Sequence, residues 1–162
     1  MSTVRQTAPV NDAPNRLIDE VEFGEGVVVQ AFTNLYGCRI GAGTMVGTFV
    51  EIQRGAAVGA LCKVQSHSFI CDGVTLEDEV FIGHGVCFVN DKHPRATTAE
   101  GRRQDETDWE LLPTVVERRA TVGSGAVVLG GVRIGREATV GAGAVVTADV
   151  PAGATVVGNP AR

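Results

Sequence analysis

Aliphatic side chains recur at every sixth position through most of this 162-residue chain. Steps of six from Val28 meet Val28, Asn34, Ile40, Val46, Ile52, Val58, Val64, Ile70, Leu76, Ile82 and Phe88, and only Asn34 is polar. Glycine often follows, at Gly41, Gly47, Gly59 and Gly83. Four places after each apolar residue the side chain is again mostly small or branched, from Thr44 and Val50 through Cys62 and Ser68 to Val80 and Val86. The pattern stops near Lys92 and resumes at Val116, running through Val122, Val128, Ile134, Val140 and Val146. The step from Phe88 to Val116 is not a multiple of six, so the two runs differ in phase and an insertion separates them.

A period of six fits neither an amphipathic helix, at 3.6, nor a half-buried strand, at 2. It fits short flat strands joined by tight corners, with glycine admitting close approaches that other residues resist. One such repeat cannot bury its inner face alone, so the coils must stack. An ordinary β-sandwich would need longer alternating strands with turn signals about every 8–12 residues, and these are missing. The chain has 21 glycines but one Trp and one Tyr, which suits a narrow core of small and branched side chains.

A single domain over residues 1–162 is expected. Residues 1–22 read as a polar amino-terminal tail or cap. Residues 91–115 are an inserted loop, too long and too unpatterned to be a plain connection. Trp109 and Leu111-Leu112-Pro113 argue that its returning limb packs against something. Residues 152–162 form a closing segment.

The blocks Ile40-Gly-Ala-Gly-Thr-Met, Val122-Gly-Ser-Gly-Ala-Val and Val140-Gly-Ala-Gly-Ala-Val resemble the hexapeptide-repeat acyltransferases. The resemblance implies an all-β fold, a left-handed parallel β-helix with one long inserted loop and three hexads per coil. General crossover sterics alone would have favoured the right hand. It also implies acetyl-CoA as co-substrate, no metal, and a homotrimer with active sites between subunits. The stretch Phe81-Ile-Gly-His-Gly-Val-Cys-Phe-Val-Asn-Asp-Lys-His-Pro-Arg95 resembles a subgroup of nucleotide-sugar N-acetyltransferases. The implied acceptor is the amine of a nucleotide-linked amino sugar, a 3-amino sugar on UDP or dTDP being the first guess.

With an eighteen-residue coil as ruler, His84 stacks on Ser66 beside His67, and Asn90 stacks on Asp72, which stacks on Arg54. One corner is therefore expected to gather His67, Asp72, His84 and Asn90 at the root of the insertion. A histidine titrating near neutrality suits removal of the amine proton, so His84 is the candidate base or relay. Asn90 is the candidate to orient amine or thioester. Substrate contacts are expected from His67, Asp72, Asp91, Lys92 and Arg95. Arginine suits phosphate geometry, so Arg102 and Arg103 join Lys92 and Arg95 as phosphate candidates. CoA contacts implied by resemblance fall on Ser124, Ala142, Gly143 and Arg162. Each has a plainer role as well: a corner residue satisfying backbone groups, a turn former, or a solvated charge. Cys87 lacks an activating partner in the sequence, so a covalent acyl-enzyme is not expected.

Other readings stay open. An O-acetyltransferase could use the same repeats. A metalloenzyme of the γ-carbonic-anhydrase kind would need three converging histidines, and the chain has only His67, His84 and His93. A non-catalytic scaffold would need neither the insertion nor a polar corner. The formal charge of −5 argues against nucleic acid as partner. No run reaches membrane-spanning length, and no cationic, apolar leader stands at the start. The four cysteines form no C-x-x-C pair. A cytoplasmic protein with reduced thiols is expected.

Overall fold

The computed structural model describes residues 15–162, so most of the expected tail lies outside the described residues. Twenty strands of two or three residues make up the regular structure, with no helix among the described residues. They form three parallel sheets of seven, six and seven strands. Each third strand returns to the same sheet, so the chain winds into a three-sided prism. The winding is left-handed.

The first face runs from Leu17–Asp19 through Phe69–Ile70 and Cys87–Phe88 to Val145–Val146. The second includes Val74–Leu76 and Thr114–Val116, and the third includes Lys63–Val64, Phe81–Ile82 and Thr121–Val122. Three edges join these faces. The edge between third and first faces carries His67 and His84 and is called the histidine edge below. The edge between first and second carries the loop and is called the insertion edge.

The inner column is the aliphatic repeat. Ile40, Val46, Ile52, Val64, Ile70, Ile82, Val122 and Val128 are all buried. The residues two places earlier, among them Thr44, Val50, Ser68, Val80 and Val86, point inward as well. Phe88 is the largest fully buried side chain, so the core is as narrow as the composition implies. Its few hydroxyls are satisfied: Thr44 Oγ1 donates to Gly59 O and Ser68 Oγ to Gly83 O, both at 2.8 Å.

The register departs from the even six-step in three places. Val28 is exposed and Asn34 half-buried, while Val29 and Leu35 are buried in their stead. The cause is a short first coil. Leu35 pairs with Ile52, a step one position shorter than the full coil that joins Val64 to Ile82. This slip explains why Asn34 broke the repeat. The winding also starts earlier than the repeat, with Leu17–Asp19 paired to Asn34–Tyr36. At the insertion, Ile82 pairs directly with Val122, so the whole loop is spliced into a single coil without disturbing the stack on either side. Near the end, Thr155–Val156 pairs with Thr139–Val140, a coil two positions short of the full length.

The two glycines of each Val-Gly-x-Gly block do different work. A Cβ on Gly123 would lie 2.5 Å from Ala142 N, so this glycine lets adjacent coils touch backbone to backbone. Gly125 has φ +70° and nothing near its missing Cβ, so it serves the left-handed corner conformation.

Candidate active site

The eighteen-residue ruler holds locally. Gly85 N donates to Ser66 O at 2.9 Å, which places His84 over Ser66. Asn90 Nδ2 donates to Asp72 O at 3.1 Å, which places Asn90 over Asp72. A Cβ on Gly55 would meet Asp72 Oδ1, so Asp72 lies over the Arg54-Gly55 corner, where Arg54 pairs with Glu20 at 2.8 Å.

The single polar corner is not what forms. His67 and His84 stand on the histidine edge, Asp72 and Asn90 on the insertion edge, with the first face between them. His84 and Asn90 are one hexad apart, a full side of the prism. Stacking by eighteen aligns residues along one edge, but a step of six moves to the next. At about 3.3 Å per extended residue that side spans up to about 20 Å. The two side chains of one chain therefore cannot meet at one reacting atom.

Each edge has its own character. On the histidine edge, Phe32, Phe49 and His67 stack, with centroids 5.2 and 4.8 Å apart. All three have positive φ, His67 at 64°. This column of side chains ends at His67, because the next three coils carry Gly85, Gly125 and Gly143 there, each with open space where a Cβ would be. A trough about 10 Å long follows from coils spaced about 4.8 Å apart. His84 stands beside it, exposed, and its N–H donates to Ser124 Oγ at 3.1 Å. Ser124, Ala142 and Gly143, the residues expected at CoA, border the same trough. The closing segment folds over this end: Val157 packs at Gly141, and its N–H donates to Arg162 O at 3.1 Å. The glycine column is the feature that residue-by-residue reading missed, although the Gly-x-Gly spacing carried it.

Between the edges, the outer side of the first face is apolar toward its carboxy-terminal end. Phe69, Cys87, Val127, Leu129 and Val145 are half-buried there. The amino-terminal coils of the same face show Asn34, Tyr36, Glu51 and Gln53 instead, with Gln53 Nε2 donating to Glu51 Oε1 at 3.1 Å.

The insertion is ordered by its own bonds. Thr97 and Arg103 pair as an antiparallel bridge, and Thr98 N donates to Arg102 O at 2.8 Å. Arg102 grips Asp108 at 2.6 and 2.8 Å and Asp105 at 2.9 Å. Arg102 is therefore a brace of the loop, and Arg95 Nη1 turns back to Pro94 O at 3.1 Å. Leu112 N donates to Asn90 O at 3.1 Å, closing the loop at its root. Asp91 Oδ1 accepts from His93 N at 2.7 Å. His93 thus stands on the insertion edge, so one chain does not bring its three imidazoles together. Among the described residues no three His, Cys, Asp or Glu side chains form a metal-holding group, and no helix is long and apolar enough to cross a membrane.

Burial pushes the Cys38 and Cys71 thiols up to about 11 and raises Cys62 and Cys87 as well. At pH 8 only about one in a thousand Cys38 or Cys71 side chains is then thiolate, the reactive form. Ellman's reagent should label these two slowly in the native protein and at once in denaturant. Rapid native labelling at pH 8 would contradict the burial.

The repeats from residue 113 to 148 match the family described as bacterial transferase hexapeptide (six repeats). The three-sided left-handed prism is the fold of hexapeptide-repeat proteins. This hexapeptide-repeat chain is 31% identical over 136 residues to the bifunctional protein GlmU of Paracoccus denitrificans, covering 82% of this chain and 30% of that protein. It spans about a third of the length of the GlmU relatives it matches. Among solved structures, it resembles a hexapeptide-repeat acetyltransferase of Vibrio cholerae complexed with acetyl-CoA, with TM-score 0.66 and 28% identity over 78% of this chain and 68% of that one. It shares the fold of AntD, an N-acyltransferase from Bacillus cereus in complex with dTDP and CoA, with TM-score 0.75 at 14% identity over 88% and 81% of the two chains.

Proposed function

We propose that the protein is an acetyl-CoA-dependent N-acetyltransferase for the amine of a nucleotide-linked amino sugar, a 3-amino sugar on UDP or dTDP being the first candidate. It works as a homotrimer in the cytoplasm, with each reacting site between two copies. One observation carries the reading: His84 stands at an open trough made by Gly85, Gly125 and Gly143, a full side of the prism away from Asn90. The trough suits a thin extended arm, and its glycine floor lets such an arm lie against backbone. The likeness to an acetyltransferase holding acetyl-CoA supports the same occupant.

When bound, acetyl-CoA supplies an activated carbonyl and a good leaving group. The rest falls to the protein. His84 takes or relays the proton that the attacking nitrogen sheds, a role worth about 10²–10⁴ in rate. Asn90 keeps one amide N–H on Asp72 O, which fixes its plane and leaves a second N–H and a carbonyl oxygen for substrate. A three-membered ring would bring the histidine edge of one copy against the insertion edge of the next. His84 and Asn90 then converge from different chains. Asp72, Asp91, Lys92 and Arg95 line the acceptor side, with His67 at the foot of the trough and Arg162 at its head.

The test is release of free CoA from acetyl-CoA against a panel of UDP- and dTDP-linked amino sugars, their hydroxyl counterparts and free amino sugars. Turnover with a nucleotide-linked amine and not with the hydroxyl counterpart is expected. Turnover only with hydroxyl acceptors would replace this reading by O-acetylation. No turnover with any of them would remove it.

A further inference from the structure

The loop encloses a second concavity, on the acceptor side and separate from the glycine trough. Between its outgoing residues 91–93 and its returning residues 108–112 lies a cleft of about 380 Å³. Asp91, Lys92, His93, Asp108, Trp109 and Glu110 line it. Its walls are braced from outside. Arg102 fixes Asp108, the neighbour of Trp109, through two short bonds. Lys92 lies back against the prism, its Nζ 3.7 Å from where a Gly131 Cβ would be. Leu111 covers Gly73 in the same way from the other side.

Trp109 is the chain's only tryptophan, and it is left half-buried at the wall of an open cleft instead of in the core. A broad flat ring so placed is a stacking platform for another flat ring. The remaining polar groups say which one. Carboxylates only accept hydrogen bonds. Asp108 is taken by Arg102 and one oxygen of Asp91 by His93 N. The second oxygen of Asp91 and the exposed Glu110 carboxylate are open to accept from a ligand donor. We infer that the cleft is a nucleobase subsite, with Trp109 stacking on the ring and Asp91 or Glu110 accepting from a ring N–H. Uracil, thymine and guanine carry that N–H on their pairing edge; cytosine and adenine present there a bare nitrogen whose lone pair repels a carboxylate, and can donate only from the exocyclic amino group beside it. Lys92 supplies a cation at the cleft for the diphosphate. Asp91 adjoins Asn90, so a nucleotide seated here aims its far end at the insertion edge. The inference rests on the nucleotide-sugar reading for what that far end carries, not for the binding of the base.

The lone indole reports directly on this site. Titration of the full chain with UDP, dTDP or GDP should quench its fluorescence saturably, at least tenfold more tightly than CDP, ADP or inorganic pyrophosphate. Calorimetry should show Trp109→Ala weakening UDP binding about tenfold, with Trp109→Phe retaining most of it, because stacking survives in the smaller ring. Glu110→Gln together with Asp91→Asn should erase the preference over CDP. Equal affinity for all five nucleotides, pyrophosphate matching UDP, or Trp109→Ala binding as wild type would each overturn the subsite. The two proposals fail separately. Nucleotide binding without acetyl transfer to any nucleotide-linked amine leaves the cleft and removes the activity. Transfer whose KM ignores Trp109→Ala does the reverse.

Discussion

Mixing His84→Ala protein with Asn90→Ala protein is expected to restore about a quarter of the acetyl transfer that each variant has lost, since in a random ring one interface in four pairs an intact histidine edge with an intact insertion edge. Alone, His84→Ala should fall about 10²–10⁴ in kcat, the usual worth of a positioned proton acceptor. Asn90→Ala should fall about 10²–10³, as when one preorganised amide donor is removed. Neither should melt the coil. His84 is exposed, and Asn90 contributes a single bond, Nδ2 to Asp72 O at 3.1 Å. The physical ground is distance: one side of the prism separates the two residues in one chain, and the core that fills the prism cannot compress. The measurement is CoA release after co-refolding the variants in equal amounts. If the mixture stays as inactive as its components while a wild-type mixture recovers fully, His84 and Asn90 do not share an intersubunit site.

The repeat made the prism legible because burial in a β-helix is periodic and almost free of exceptions. Ile40, Ile52, Ile70, Ile82 and Val122 could be assigned to the core from spacing alone. Phase was harder. A one-residue shortening between Leu35 and Ile40 moves every earlier side chain to the opposite face, which is how Asn34 and Val28 were set on the wrong side. The site was half legible. Spacing by eighteen set Asn90 on Asp72 and His84 on Ser66. A step of six, with three hexads to a coil, changes edge, so four polar residues that are neighbours in number fall on two edges rather than at one corner. The loop was the least legible part. Its shape comes from Arg102 holding Asp105 and Asp108, a contact between side chains with no period to announce it.

Within one six-residue block, Gly123→Ala should cost about 3 kcal/mol or more, and Gly125→Ala about 1 kcal/mol. The added methyl on Gly123 would sit 2.5 Å from Ala142 N and 2.7 Å from Gly141 C. Those are backbone atoms of the next coil, held by Gly123 N donating to Val140 O at 2.8 Å. No side chain can swing aside, so the coils must part and their hydrogen bonds lengthen. On Gly125 the methyl meets nothing within 4 Å, and only the φ of +70° resists it. Arg119 and Glu137 already adopt φ of 61° and 58° at equivalent corners, so the fold tolerates that strain. For a chain of this size the melting point should drop about 6–12 °C for the first change and about 2–4 °C for the second. Activity should rank the opposite way relative to stability. The Gly125 methyl projects into the trough beside His84, so Gly125→Ala should raise the KM for acetyl-CoA at temperatures where it is fully folded. Equal melting points for the two variants would mean that the coils are not in backbone contact at Gly123. An unchanged KM in Gly125→Ala would mean that the trough is not the path of the acyl carrier.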